Sequence, residues 1–69
     1  MPLPMAGIGE ENTVKRIGGR AETRKFLESL GFVPGAVVAV VTRNGGGVIV
    51  SVKKSRVAIS REMAAKIMV

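Results

Sequence analysis

The chain has 69 residues, a formal net charge of +6 and 46% hydrophobic residues, and it contains neither Cys nor His. This length allows one small domain, and such a hydrophobic fraction is typical of a folded domain rather than a disordered segment. The missing Cys and His exclude disulfides, zinc-finger patterns and catalysis by a thiol or an imidazole. Because no signal peptide or long apolar run is visible, we expect a cytoplasmic protein without a membrane span.

The first half of the chain predicts a strand followed by a helix. Residues 12–17 alternate weakly, with Val14 as the clearest inward residue, and Gly18 and Gly19 end this strand. Residues 20–30 predict a helix, since their apolar residues recur at the i, i+3, i+4, i+7 spacing of one buried stripe. That stripe consists of Thr23, Phe26, Leu27 and Leu30.

The helix is predicted to end in a glycine cap and a tight turn. Gly31 occupies the position where a left-handed residue closes a helix, and Phe32 and Leu27 are placed to make the apolar contact that accompanies such a cap. Pro34 and Gly35 suit the two central positions of a type II turn, because proline sets a negative φ and glycine supplies a positive one.

The second half predicts β structure. Segments rich in β-branched residues indicate strands at residues 36–43, 48–53, 56–60 and 65–69. Residues 44–47 are expected to form a hairpin connection, because Asn and Gly tolerate positive φ, and residues 54–55 a short turn. Ser60 is placed to cap a single helical turn at residues 61–64.

These elements predict a mainly β fold. We expect a small five-stranded barrel with one α-helix between the first and second strands and a short helical turn before the last strand. The expected core consists of Val14, Ile17, Phe26, Leu27, Leu30, Phe32, Val38, Val40, Val50, Val57, Ile59 and Ile67.

The charges are unevenly distributed along the chain. Residues 29–61 contain no Asp or Glu, although Arg43, Lys53, Lys54 and Arg56 lie within them. Such a positive face favours an anionic partner, such as nucleic acid, acidic lipid or an acidic protein surface. A solvated surface that keeps the protein soluble is the alternative.

No catalytic constellation is recognisable, so we do not expect an enzyme. The glycines at 45–47 join two strands and do not open a helix, as a phosphate-binding loop requires. Glu10 and Glu11 are sequence neighbours that suit a solvated loop better than a cation site, so no metal site and no cofactor are expected. Nucleic-acid binding is favoured by the charge, but Phe26 and Phe32 are the only aromatic residues and both are expected to pack.

Three segments resemble a known family. The sequence LESLGFVPG at residues 27–35 is similar to the Leu-x-x-Leu-Gly-Phe-x-Pro-Gly signature of the ferrous iron transport protein A (FeoA) family of SH3-like barrels. IGG at residues 17–19 and VAISREMAAKI at residues 57–67 resemble further blocks of that family, in the same order. The resemblance thus spans nearly the whole chain.

The resemblance implies a non-enzymatic accessory protein of bacterial ferrous iron uptake. It would dock on the cytosolic GTPase part of a membrane protein of the ferrous iron transporter B type. Alternatives are a small basic barrel that binds nucleic acid, or a stand-alone relative of the SH3-like domain of metal-dependent repressors. Weak self-association is compatible with apolar edge strands.

Two surfaces are candidates for partner binding. One is the basic set Arg43, Lys53, Lys54 and Arg56 at the ends of the strands. The other is the outer face of the helix with its preceding loop, which contributes Gly18, Gly19, Arg24, Lys25 and Glu28. For the two glycines, as for Leu27, Leu30, Gly31, Phe32, Pro34 and Gly35, a structural role is the favoured interpretation.

Overall fold

The computed structural model describes residues 1–69 as six strands, two α-helices and one N-terminal 3₁₀ turn. The elements in chain order are the 3₁₀ turn Leu3–Met5, β1 Glu11–Thr13, β2 Arg16–Ile17, α1 Ala21–Ser29, β3 Val37–Arg43, β4 Gly47–Val52, β5 Ser55–Ser60, α2 Arg61–Ala64 and β6 Ile67–Met68. Strands β1, β3, β4 and β5 form one antiparallel sheet in the order β1-β3-β4-β5, while β2 pairs with β6 in a separate ribbon. No pairing joins β5 to this ribbon, so the barrel is not closed.

The prediction of a mainly β fold is confirmed. The prediction of a five-stranded barrel is wrong in the number of strands and in the position of the helix among them. The predicted first strand is two strands that belong to different sheets, so α1 follows the second strand. The division occurs at Val14, whose N–H donates to Ala36 O at 2.9 Å and whose carbonyl accepts from Gly35 N at 2.8 Å. These bonds extend the β1–β3 pairing to the residues just before β3. The next residue, Lys15, donates its N–H to Met68 O at 2.7 Å, and the pairing of β2 with β6 begins there.

The C-terminus of α1 is closed by a Schellman motif. Gly31 has a φ of +108° and its N–H donates to Glu28 O at 3.0 Å, while Phe32 N donates to Leu27 O at 3.0 Å. These are the two hydrogen bonds of that motif, and both satisfy carbonyls that have no partner within the helix.

A type II turn follows the helix directly. Ala36 N donates to Val33 O at 2.9 Å, and Gly35, at the third position, has a φ of +93°. The turn reverses the chain so that β3 runs back along β1.

Two hairpins connect the three long strands. In the first, Asn44 N donates to Gly47 O at 3.1 Å and the Asn44 Oδ1 accepts from Gly47 N. In the second, Lys53 and Lys54 are the turn residues, with φ values of 49° and 64°. The turn predicted at residues 54–55 therefore lies one residue earlier. A two-residue loop with positive φ at both positions matches the twist of the strands. Since Val52 pairs with Ser55, the two residues between them, Lys53 and Lys54, form this loop.

The core lies between the inner face of the sheet, α1 and the ribbon. Nine of the twelve expected core residues are buried, whereas Phe26 is 47% exposed and Leu30 and Val57 are only half-buried. Val57 lies on the edge strand β5, and Leu30 is the C-cap residue of α1. Phe26 lies about 100° around the helix from Leu27, so the two side chains do not share one narrow stripe. Core residues missed by the prediction are Leu3, Ala6, Val48, Val52, Ala64 and Val69.

The N-terminal segment is part of this core. Leu3 is 0% exposed, and Gly9 N donates to Val40 O at 2.8 Å, beside a parallel bridge between Ile8 and Val40. At its start, Val69 N donates to Met1 O and the Met1 amino group donates to Val69 O, each at 2.8 Å. The segment thus covers one end of the sheet and ties the two ends of the chain together.

Candidate partner-binding surface

Acidic side chains are dispersed over the molecule. No group of three or more His, Cys, Asp or Glu residues is placed to hold a metal ion. None of the helices has the length and apolar character needed to cross a bilayer.

Arg43 is engaged within the chain. The register of β3 shifts between Val40 and Thr42, and one extra residue in a strand turns the following side chains to the opposite face. The Arg43 guanidinium consequently reaches the N-terminal segment, where it donates to Pro4 O at 2.7 Å and to Ala6 O at 3.2 Å. The structure gives this residue a role in holding that segment.

The other three strand-end cations lie together at the far end of the sheet. Lys53 and Lys54 form the β4–β5 turn and Arg56 follows on β5, and all three are exposed. The stem of Lys53 lies beside Gly31, so this hairpin also borders the C-terminus of α1. We call Lys53, Lys54 and Arg56 the hairpin cations. They follow the end of β4, whereas Arg43 precedes its start. The structure therefore does not bring Arg43 together with them.

A groove of about 350 Å³ lies between α1 and β2. We call it the α1 groove; its lining residues are Arg16, Ile17, Ala21, Arg24, Lys25, Glu28 and Pro34. Three of its residues, Arg24, Lys25 and Glu28, were expected on the outer face of the helix. The structure brings them together with Arg16 on the neighbouring strand, so the groove carries three cations and one carboxylate.

Residues of α1 line one side of this groove, and apolar residues from β2 and from the turn after the helix contribute to its walls. Ala21, Lys25 and Glu28 recur at helical spacing and line one side, while Ile17, which is 8% exposed, and the exposed Pro34 contribute apolar surface. Sequence reasoning missed four of the lining residues: Arg16, Ile17, Ala21 and Pro34. One sequence pattern could have indicated this side of the groove. Ala21, Lys25 and Glu28 have the i, i+4, i+7 spacing of one helix face, and this face lies away from the buried stripe of α1.

Gly18 and Gly19 support the end of the groove next to β2. Gly18 N donates to Lys66 O at 2.7 Å, and Gly19 has a φ of +90° with the Lys66 stem packed against it. Only glycine adopts such a φ without strain, so Gly19 suits the loop that leads from β2 into α1.

Taken together, the fold and surface are those of a small SH3-like β domain with a charged groove beside its one long helix. The FeoA domain model matches residues 1–69, and the chain therefore belongs to the FeoA family. A curated protein of Methanocaldococcus jannaschii, named "Putative Fe(2+) transport protein A", is 41% identical over 68 residues, covering 99% of this chain and 83% of that protein.

Solved structures share the fold. A crystal structure of an iron uptake regulatory protein (FeoA) is 35% identical, covers 99% of this chain and 92% of its own, and superposes with a TM-score of 0.90. FeoA of Stenotrophomonas maltophilia, crystallised with zinc and described as an SH3 domain protein, is 23% identical with a TM-score of 0.85, over 99% and 87% of the two chains. A manganese-dependent transcriptional repressor is 21% identical with a TM-score of 0.87, over 97% of this chain and 39% of that one.

Proposed function

We propose that this protein is a non-enzymatic accessory protein of ferrous iron uptake that acts in the cytoplasm by docking on the cytosolic GTPase part of a ferrous iron transporter. The observation that carries the proposal is the match of the FeoA domain model to residues 1–69. The matched relative is itself named for Fe(2+) transport, which supports a role in the same process.

The residue chemistry supports a binding role over catalysis or iron carriage. The chain has five acidic residues and no His or Cys. Ferrous sites favour imidazole together with carboxylate, and general acid–base catalysis most often uses His. An accessory protein that acts by surface contacts does not need those residues. The exposed cations and the groove of this surface are suited to such contacts.

The hairpin cations suit the first encounter with an acidic partner. Lys53, Lys54 and Arg56 are exposed at one end of the sheet, without an acidic residue between them. Clustered charge at the rim of an interface accelerates association more than it strengthens the final complex, and salt screens the effect.

Binding kinetics with the transporter's purified GTPase domain test this proposal. We expect reversible binding by the wild-type chain, and an association rate about tenfold lower for the Lys53→Glu/Lys54→Glu variant at low salt. The difference should shrink as ionic strength rises. Absence of wild-type binding to both the nucleotide-free and the GTP-loaded domain would overturn the proposal; an unchanged association rate would remove the hairpin cations from it.

Nucleic-acid binding is the second candidate, favoured by the net charge of +6. Of all the Lys and Arg residues, only Arg43 uses its side chain in a hydrogen bond within the chain, which leaves the others available to phosphates. Base stacking has limited support, because Phe32 is buried and Phe26, which is 47% exposed, is the single aromatic side chain accessible to a base. A gel shift with generic RNA and DNA decides: tight, salt-sensitive binding would favour this candidate.

A further inference from the structure

We propose that the α1 groove binds an extended acidic segment of a partner protein through the carboxylates of that segment. This inference rests on the proposed docking function and names the chemistry that the partner presents. It is carried by the juxtaposition of Arg16 on β2 with Arg24 and Lys25 on α1 around one groove.

The charge of the groove selects an anion. Three cationic side chains line it against the single carboxylate of Glu28. Arg16, Arg24 and Lys25 are all exposed, and none of their side chains forms a hydrogen bond within the chain, in contrast to that of Arg43. The two guanidinium groups can each bind a carboxylate in a bidentate manner, which gives geometric selectivity as well as attraction.

The dimensions of the groove suit a short stretch of extended chain. Ala21 and Glu28 are seven residues apart on the helix, which corresponds to about 10 Å along its axis. An extended chain covers this length in about three residues. Since alternate side chains of an extended segment point to the same side, two acidic residues separated by one other residue would both face the cations.

The walls favour a peptide over a nucleotide or a free phosphate. Ile17, Ala21 and Pro34 contribute apolar surface that can contact the stem of a Glu side chain and the peptide backbone. No aromatic residue lines the groove, so a base would have no stacking surface. The Glu28 carboxylate repels a multiply charged phosphate, but it can accept a hydrogen bond from a backbone N–H of the bound segment.

The arrangement also predicts an orientation. Glu28 lies in the last turn of α1, whereas Ala21 lies in its first turn, where the helix dipole is positive. The acidic residues of the bound segment should therefore face Arg24 and Lys25 towards the Ala21 end. An uncharged or basic residue should face Glu28.

An NMR titration of the full chain tests the inference. The probe is a capped Glu–Ala repeat peptide, compared with the matching Gln–Ala repeat peptide and with inorganic phosphate. We expect the acidic peptide to shift the amide signals of Arg16, Ile17, Ala21 and Lys25, and the neutral peptide to leave them in place. Phosphate that shifts the same signals at equal concentration would overturn the preference for a peptide, as would shifts centred on the β4–β5 hairpin.

A matched pair of variants separates the groove from general electrostatics. Arg24→Gln/Lys25→Gln and Lys53→Gln/Lys54→Gln each remove two positive charges, and Gln is a good helix former at the first pair of positions. We expect the groove variant to bind the acidic peptide about tenfold more weakly and the hairpin variant to remain within about twofold of wild type. Equal losses in both variants, with unchanged melting temperatures, would overturn the groove as the site.

The peptide titration does not depend on the transporter. If the acidic peptide binds in the groove and the GTPase domain does not bind at all, the docking function fails while the groove site stands. If the GTPase domain binds equally well to wild type and to Arg24→Gln/Lys25→Gln, and the acidic peptide leaves the groove signals in place, the groove site fails while the docking function stands.

Discussion

Gly31 joins the helix to the sheet at a point where a side chain would be crowded and the backbone is left-handed. Its φ of +108° lies in the region that residues with a Cβ avoid, and a Cβ built there would lie 3.3 Å from Val52 Cγ2 and 3.4 Å from Lys53 Cδ. The same residue donates the Schellman hydrogen bond to Glu28 O. Local conformation and capping therefore both favour glycine at this position, and the close approach of Val52 adds to that preference.

Gly31→Ala should destabilise the fold. The left-handed conformation alone costs about 1–2 kcal/mol for a residue with a Cβ, and a domain of this size loses about 4–8 °C in Tm per kcal/mol. Calorimetric melting measures the change. Gly45→Ala is the control, because Gly45 has open space around it and no positive φ; equal Tm values for the two variants would contradict this account of Gly31.

Arg43 shows what residue-level reasoning from sequence does not reach. As a cation at the end of a predicted strand, it was grouped with Lys53, Lys54 and Arg56. The irregularity between residues 40 and 42 turns it towards the N-terminal segment instead. The sequence gives no indication of this one-residue bulge. Since β3 is apolar on both faces, it has no polar–apolar alternation that the bulge would interrupt.

At the scale of elements, α1 presents three different surfaces. Leu27 is fully buried, Phe26 is 47% exposed, and the groove residues lie on a third side. The i, i+3, i+4, i+7 spacing predicted the helix correctly, because periodicity depends only on the helix itself. It placed the stripe too far towards Phe26, because the angle at which a helix meets a sheet depends on residues distant in sequence.

Leu27→Ala should therefore cost far more stability than Phe26→Ala. Removing a fully buried leucine side chain typically costs about 2–5 kcal/mol, whereas truncating a half-exposed phenylalanine forfeits about 1 kcal/mol of burial. Chemical denaturation of both variants measures the free energy of unfolding. A larger loss for Phe26→Ala would mean that α1 is rotated about its axis so that Phe26, and not Leu27, packs in the core.

The strands were predictable to different degrees for a physical reason. The β3–β4–β5 meander was close to its predicted boundaries, because turn residues and β-branched alternation are local features. The segment at residues 12–17 was predicted as one strand, since nothing local shows that its two halves pair with different partners. The closing strand, expected over residues 65–69, is only Ile67–Met68 because its length is set by the short β2 opposite.

At the scale of the whole molecule, the N-terminal segment completes the core. Its composition, rich in Pro and Gly, gave no prediction of regular structure, yet Leu3 is 0% exposed and Ala6 is 1% exposed. A domain this small buries a limited share of its surface, so each such residue matters to its stability. The candidate groove was only partly predictable. Arg24, Lys25 and Glu28 followed from the periodicity of the helix, whereas the contributions of Arg16, Ile17, Ala21 and Pro34 required the tertiary fold.

Leu3→Ala should lower stability by about 2–5 kcal/mol, as much as a central core substitution. That loss is a large part of the about 5–15 kcal/mol that holds a typical domain together. Met5→Ala, at a position that is 71% exposed in the same segment, should change stability by less than about 0.5 kcal/mol. Thermal melts that are indistinguishable for the two variants would show that residues 1–6 do not pack on the sheet.

The reciprocal hydrogen bonds between Met1 and Val69 have a consequence for engineering. They place the two ends so near each other that a short flexible peptide could close the backbone into a ring without disturbing the sheet. New ends opened between Gly45 and Gly46, where a loop tip faces solvent, would then give a circular permutant with the same architecture.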